Sequence, residues 1–403
     1  MDTKVANLSL KRSLRRQLDD KNESLLIDIF VRSESSSLIL NGDFVWFQLF
    51  IEVVLRMTDH EKGKQELIDR SLEEYKDDAL EKQKINDFAK NYTSSDAIKW
   101  YTRDSFVYRM INKALRQQDV DTLYAFRILI IDIHRQLKNL HEQKRSTESI
   151  LHFYRGQFLS RKELDQFQQN IGNFISMKSF LSTSVDRQVA MIFTGERIGL
   201  CSVLFDLRVD AQLNGTKPFA DITSLSYYED EEEVLFMLGT IFRIDQVLFN
   251  SEANCWIIEL DLSSDDHTEL KATFDSLKEN IDDETNLYEL GRIFWNMKNL
   301  DAAERCFNKL IQQTHSNINV IPGCYLHLGN IASDRGQYDK AVEFHRRSLE
   351  LKQQILPEDH PYLPYSHNSL GEVLRLCGNF DEALLHYKKA LSLWQRQYGN
   401  DEH

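Results

Sequence analysis

The sequence is poor in residues that break or staple a chain. It has 5 prolines and 15 glycines in 403 residues, which excludes collagen-like and low-complexity classes and leaves room for much helix. Its 5 cysteines, Cys201, Cys255, Cys306, Cys324 and Cys377, are odd in number, widely spaced and free of any CxxC pair. A disulfide framework and a zinc site are therefore not expected, and the implied compartment is reducing, cytoplasmic or nuclear. Long apolar runs are also missing. The longest, residues 44–55, contains Gln48 and Glu52, whereas a membrane span needs roughly twenty apolar residues. It reads as a buried helix. Positive charge is in deficit, 49 Lys and Arg against 63 Asp and Glu for a formal net charge of -14. That acidity repels polyphosphate and argues against nucleic acid or an anionic membrane as a partner. The N-terminal stretch carries Lys11, Arg12, Arg15 and Arg16 but no apolar core or small-residue cleavage site. A secretory signal is not expected there, and the four basic residues read as an exposed helix face rather than a nuclear-import patch.

What is present is a globular composition, 42% hydrophobic, 28% charged and 11% aromatic, in a chain long enough for two or three domains. Residues 24–142 read mostly as helix. A start is expected at Asp96 after Thr93, Ser94 and Ser95, and buried faces are supplied by Ile111, Leu115, Leu123, Phe126, Ile130, Ile133 and Leu137. From residue 150 to 262 the pattern changes to short runs dense in β-branched and aromatic residues, at 150–154, 180–183, 200–207, 233–237, 239–249 and 255–262. A helical part followed by a strand-rich part gives an α+β order. Residues 263–284 are strongly acidic and read as a boundary, either a linker or an exposed helix.

Beyond that boundary the chain repeats itself. Leu290-Gly291, Leu328-Gly329 and Leu370-Gly371 each precede an alanine, Ala303, Ala341 and Ala383, thirteen residues after the leucine. The second and third units share Gly336-Gln337-Tyr338-Asp339 and Gly378-Asn379-Phe380-Asp381. These residues resemble tetratricopeptide repeats, in which Gly and Ala let helix backbones approach and large residues such as Phe307 and Tyr387 fill the space between. Tyr398-Gly399-Asn400-Asp401-Glu402-His403 looks like a second version of Ile355-Leu356-Pro357-Glu358-Asp359-His360, so truncation before a further repeat is the preferred expectation. His345, His360 and His367 lack metal-ligand spacing and read as surface or repeat-packing residues; no metal is expected.

Three segments of the strand-rich part draw attention, although each has an ordinary explanation. Phe153-Tyr154-Arg155-Gly156 is compatible with a surface arginine at a strand end, and Ser179-Phe180-Leu181-Ser182-Thr183-Ser184 with a plain strand whose hydroxyls bond to backbone. Tyr227-Tyr228-Glu229-Asp230-Glu231-Glu232-Glu233-Val234-Leu235-Phe236 is compatible with a solvated acidic loop. Its acids, however, run directly into an apolar run. If the strand begins near Glu231, Glu231 and Glu233 point to one face and Glu232 to the other. Two like charges on one face are unfavourable, but chemistry at a sugar anomeric carbon can use them. One carboxylate stabilises an oxocarbenium-like cation and the other holds or deprotonates the incoming nucleophile. Arginine, with its planar charged fork, suits a diphosphate.

In order, Arg155, Ser182-Thr183-Ser184 and Glu231-x-Glu233 resemble the R-S-E signature of the mono-ADP-ribosyltransferases of the arginine-specific type. The match extends through Tyr154, Gly156, Ser179, Ala190, Phe193 and Leu235, and covers about residues 96–262, with Trp100, Tyr101, Tyr108, Asn112 and Leu115 resembling the helical part that precedes the sheet. Poly-ADP-ribose polymerases carry histidine at the first motif, so Arg155 points away from that branch. The resemblance implies a split β-sheet clamping NAD as co-substrate, followed by an all-α repeat array. It implies that Arg155 contacts the NAD phosphates or ribose, that the Gly156 backbone holds the nicotinamide amide, and that Phe193 lies in a loop covering nicotinamide. Ser182 would orient Glu233, Glu233 would bind the nicotinamide ribose and stabilise the cation, residues 218–230 with Tyr227 and Tyr228 would recognise the acceptor, and Glu231 would engage its guanidinium. The implied organisation is a helical region of unassigned role at 1–95, the catalytic domain at 96–262, the acidic segment at 263–284 and three repeats at 285–403. The expected activity is transfer of ADP-ribose to an arginine of a protein acceptor, with a protein or peptide on the concave face of the repeats. NAD glycohydrolysis and an inactive scaffold remain open at this point.

Overall fold

The structure, a computed structural model, describes residues 27–30, 42–57, 60–143, 150–195, 197–228, 232–264, 287–296, 298–313 and 320–398. The chain divides into two units, Met1–Glu284 and Thr285–His403. The basic N-terminal stretch, nearly all of the acidic boundary segment and residues 399–403 lie outside the described residues.

In the first unit the apolar run becomes helix α1 (Gly42–Leu55), with Phe44, Phe47 and Phe50 fully buried. Gln48 breaks the run for a reason: its amide donates to Ser176 Oγ at 2.7 Å and to the Gly239 carbonyl at 2.8 Å, tying the helix to the sheet. Helices α2 (His60–Glu74), α3 (Ala79–Asn91), α4 (Ala97–Thr102), α5 (Phe106–Gln117), α6 (Val120–Ala125) and α7 (Arg127–Gln143) follow. Asp78 and Asp119 cap α3 and α6, each carboxylate accepting from two free backbone N–H groups. All seven apolar residues expected to face inward between Ile111 and Leu137 are buried. One segment departs from the helical expectation. Ile27–Phe30 is an edge strand, β1, because its partner lies far along the chain at Phe174–Met177 and no local pattern announces it.

The strand-rich part builds β2 (Ile150–Leu159), helix α8 (Arg161–Gln169), β3 (Phe174–Met177), β4 (Leu181–Ser184), helix α9 (Arg187–Met191), β5 (Cys201–Asp210), β6 (Phe219–Asp221), β7 (Glu233–Phe236), β8 (Ile241–Asn250) and β9 (Cys255–Leu262). Strand β2 runs well past residue 154, so Arg155 and Gly156 are interior to it rather than at its end. Strands β3 and β6, of 4 and 3 residues, are too short to show a period. The sheet order is β1-β3-β8-β9-β5-β2-β4-β7-β6, antiparallel except for β5 against β9. Strands β2 and β5 pair along their full length, from Ile150–Asp210 to Leu159–Cys201. Between β2 and β4 only one pair, Tyr154 with Ser184, is in register. At that seam the sheet splits, and the apolar cluster of Phe153, Leu181, Val234, Phe236 and Phe242 lies on one side of it.

The second unit consists of helices α10 (Leu287–Asn296), α11 (Leu300–Gln313), α12 (Ile321–Asp334), α13 (Tyr338–Ile355), α14 (Tyr362–Leu376) and α15 (Phe380–Tyr398). The repeat glycines are close-approach positions. A Cβ on Gly291 would stand 2.8 Å from the Phe307 ring, one on Gly329 2.8 Å from the His345 ring, and one on Gly371 3.0 Å from the Tyr387 ring. Ala303, Ala341 and Ala383 are buried beside them. The middle repeat thus carries an imidazole where its neighbours carry an aromatic ring.

Burial pushes His327, His345 and His367 down to about 4, against roughly 6.5 in an unfolded chain. Above pH 6.5 folded and unfolded states are both neutral, and nothing is lost. As pH falls from 6.5 towards 4 the unfolded chain takes up protons first, so each buried imidazole removes stability, roughly 2 kcal/mol apiece at pH 5. Calorimetry of the full chain should therefore show the repeat transition melting lower at pH 5 than at pH 7.5, with His345→Phe narrowing the gap. A transition equally stable at both values would contradict this.

Candidate active site

Arg155, Gly156 and Ser182 lie on the two strands that flank the seam, and Glu233 lies on the next strand over. Antiparallel register places Ser184 opposite Glu233 and Ser182 opposite Leu235. Because Tyr154 is the partner of Ser184 across the seam, Tyr154, Ser184 and Glu233 form one row across three strands, with Ser182 and Gly156 on the same face. The opposite face of β4 and β7 carries Leu181, Val234 and Phe236 into the core. Strand β7 begins at Glu233, not near Glu231, and Glu232 is exposed. Glu231 lies outside the described residues, so the expected pairing of two carboxylates on one strand face is left with Glu233 alone.

Glu233 is 8% exposed, and its carboxylate has no hydrogen-bond or ion-pair partner among the described residues. Nearly dry carboxylates are ordinarily paired, because an uncompensated buried charge is costly. Its position is fixed from behind. Thr183 Oγ1 donates to the Val234 carbonyl at 2.9 Å, a buried bond that locks β4 to β7. Ser184 Oγ accepts from the Asp186 N–H at 3.1 Å, while the Ser182 hydroxyl has no partner among the described residues. The register thus brings Ser184 directly opposite Glu233 and leaves Ser182 one diagonal step away.

Arg155 alternates to the face of Phe153 and reaches across the seam. Its Nη1 donates to the Ser182 carbonyl at 2.9 Å and its Nε to Gln157 Oε1 at 3.1 Å. Its Nη2 has no partner among the described residues, so the guanidinium keeps a donor for an anion. Gly156 serves a close approach: a Cβ there would stand 2.1 Å from the Ala190 carbonyl oxygen of α9 and 3.1 Å from Phe193 Cβ. Any larger residue would push α9 away. Phe193, in the loop after α9, is thereby brought beside the seam, as its N–H donates to the Ala190 carbonyl at 3.1 Å.

The loop before β7 closes with the Ile222 N–H donating to the Glu233 carbonyl at 2.9 Å. Its Tyr227 is 46% exposed, and the Tyr227 and Tyr228 rings meet edge to face at 5.2 Å. The loop is anchored from the helical part, since the Tyr227 N–H donates to Thr102 Oγ1 at 2.8 Å. Ser184 belongs to the Ser182-Thr183-Ser184 motif, which assigns it no role of its own, and Thr102 lies outside every motif. Alternation along Ser182-Thr183-Ser184 carries a signal for the first, but nothing local could reveal the second. The open cavity of about 530 Å³ on α3, lined by Lys82, Gln83, Asn86, Asp87 and Lys90, holds none of the motif residues. No group of three or more His, Cys, Asp or Glu side chains among the described residues is arranged to hold a metal ion.

A carboxylate on β7 with no partner among the described residues, and a spare guanidinium donor on β2 at the seam, fit a substrate that develops positive charge at one end and carries phosphate at the other. Comparison with known proteins agrees with that chemistry. Residues 77–279 match the sequence model described as ADP-ribosyltransferase exoenzyme, and residues 285–313 and 323–396 match tetratricopeptide repeat models. No curated protein matches the chain. Among solved structures it is similar to the ADP-ribosyltransferase HopU1 of Pseudomonas syringae pv. Tomato DC3000, at 16% identity over 52% of this chain and 100% of that one, TM-score 0.36. It is also similar to the Vis toxin, an ADP-ribosyltransferase from Vibrio splendidus, at 20% identity over 54% and 93%, TM-score 0.33. A third similarity is to BtubC from P. vanneervenii, at 21% identity over 28% of this chain, TM-score 0.26; the chain spans only 46% of that protein's length. With the exoenzyme match extending over half of its length, the chain belongs to the ADP-ribosyltransferase exoenzyme family, and it carries tetratricopeptide repeats after the transferase domain.

Proposed function

We propose that this protein transfers ADP-ribose from NAD to an arginine side chain of a protein acceptor, releasing nicotinamide, and that its repeats recruit the target or a regulator. The observation that carries the reading is the carboxylate of Glu233, 8% exposed and with no partner among the described residues. As the bond between ribose C1′ and the nicotinamide nitrogen breaks, its electron pair leaves with nicotinamide and positive charge builds on the ribose. A carboxylate held in place by the β4–β7 pairing and only slightly exposed stabilises that charge with little reorganisation. Arg155 holds NAD through its phosphates or ribose, the fork being pre-set by Gln157 and the Ser182 carbonyl. Phe193 and Gly156 border the nicotinamide side, and Ser182, one diagonal step from Glu233, is assigned to orient that carboxylate when NAD is bound. The acceptor guanidinium forms the new bond to C1′ and gives up a proton, for which Glu231 is assigned by the Glu231-x-Glu233 pattern; Tyr227 and Tyr228 guide the acceptor in. Incubation with labelled NAD and a cell extract, followed by mapping of modified side chains, tests the whole reading: label on arginine supports it, and free ADP-ribose alone marks a glycohydrolase.

Substitutions at four positions separate the roles. Glu233→Gln should abolish transfer and NAD hydrolysis together, by on the order of 10²-fold or more, with NAD affinity nearly intact; near-normal nicotinamide release would remove Glu233 from the chemistry. Arg155→Ala should weaken NAD binding in calorimetry, and Arg155→Lys should restore little because a point charge does not reproduce a fork. Unchanged affinity in the alanine variant would make Arg155 structural. Glu231→Gln should lose transfer to agmatine while keeping much of the hydrolysis, since water needs less help than a protonated guanidinium, and Glu232→Gln should change neither. Parallel loss at Glu231 would undo the argument for an arginine acceptor.

A further inference from the structure

Helix α4 ends in Thr102 and is followed by Arg103, and both residues turn towards the loop that carries Tyr227. Thr102 is 3% exposed, and its Oγ1 donates to the Ile98 carbonyl at 2.9 Å while accepting from the Tyr227 N–H at 2.8 Å. Arg103 lies over two rings at once, its guanidinium carbon 5.0 Å from the Trp100 centroid and 5.7 Å from the Tyr227 centroid. Both distances are within cation–π reach. The guanidinium is also tethered, since its Nη1 donates to Asp87 Oδ2 on α3 at 2.9 Å. Asp87 in turn accepts from Asn91 at 2.6 Å. The Arg103 guanidinium, with Asn91 beside it, holds the Asp87 carboxyl below its usual range. At the fixed end, Trp100 is buried and packs edge to face on Phe88. Its neighbour Tyr101 lies against Phe180, just before β4.

The helical part thus grips the loop at one residue by two independent means, a backbone hydrogen bond and a charged side chain on the ring face. The rigid frame ends at Trp100, and Tyr227 is the exposed side chain that frame holds. We propose that Arg103 is a positioning residue for acceptor selection: by bridging Asp87, Trp100 and Tyr227 it fixes the tyrosine against which an acceptor's guanidinium side chain is presented to the seam. The inference rests on the assignment of the 218–230 loop to acceptor recognition. It makes the helices before the sheet part of the specificity machinery rather than a passive support.

The test uses the full chain, with water, agmatine and poly-L-arginine as acceptors. Arg103→Gln removes the charge and the Asp87 pair. It should raise KM for agmatine and poly-L-arginine by on the order of tenfold, with kcat changed much less and with NAD hydrolysis and KM for NAD within about twofold of the parent. Arg103→Lys, which keeps a cation within reach of Asp87 and the rings, should recover part of the loss. Amide hydrogen exchange supplies a readout that needs no acceptor: Arg103→Gln should speed exchange in residues 222–228 and leave residues 106–117 and β7 unchanged. Equal losses of hydrolysis and transfer, or unchanged KM with unchanged exchange, would overturn the proposal. If the parent protein hydrolyses NAD but modifies neither agmatine nor poly-L-arginine, the arginine-acceptor reading fails instead, and the exchange comparison decides the role of Arg103 by itself.

Discussion

The first unit depends on a single weak junction. Strands β2 and β4 share one residue pair, Tyr154 with Ser184, where a continuous sheet would share several. Backbone groups left unpaired along a seam must find other partners or face a ligand. Here the Ser182 carbonyl takes the Arg155 guanidinium as its partner, so the residue that bridges the seam is also one with a donor to spare. The split and the site are the same feature. On one side the full-length β2–β5 ladder supplies rigidity, and on the other the short β4–β7 pair supplies Glu233, locked by the buried bond between Thr183 and Val234.

The two units solve the problem of close approach in the same way. In the transferase unit Gly156 lets the backbone of α9 come near enough to bring Phe193 beside the seam. In the repeats Gly291, Gly329 and Gly371 each admit a ring from the second helix of the pair. In all four places a missing Cβ is what allows a larger neighbour to be positioned.

The sequence made some of this legible and concealed the rest for identifiable reasons. The repeats announce themselves because glycine, leucine and alanine must recur at fixed spacing for helices to stack. Arg155, Ser182 and Glu233 stand out because three motifs, each with an ordinary explanation by itself, come in the order of the R-S-E signature. Strand β1 was read as helix, since Ile27 to Phe30 pairs with a segment distant in sequence and has no period of its own. The prominence of Ser184 follows from register, a property of two strands together, and the alternation seen along one strand could not choose between Ser182 and Ser184 as the residue opposite Glu233. Charge alone does not say where pairing begins, so the condition of a strand starting near Glu231 gives way to a start at Glu233. Thr102 and Arg103 were invisible for the same reason as β1: their significance is a contact made across most of the unit.

The closure of the loop before β7 bears on how such a protein can change over generations. The Ile222 N–H meets the Glu233 carbonyl, so both ends of the intervening segment are pinned at one point, whatever lies between. Insertions or deletions inside that segment would alter its reach without shifting the catalytic strand. A single added residue within β7 would instead turn Glu233 from the polar face into the core. Length variation is therefore tolerable on one side of that bond and ruinous on the other. On the proposed assignment of roles, the choice of acceptor can drift by indels in the loop, while the chemistry at Glu233 is held to substitutions alone.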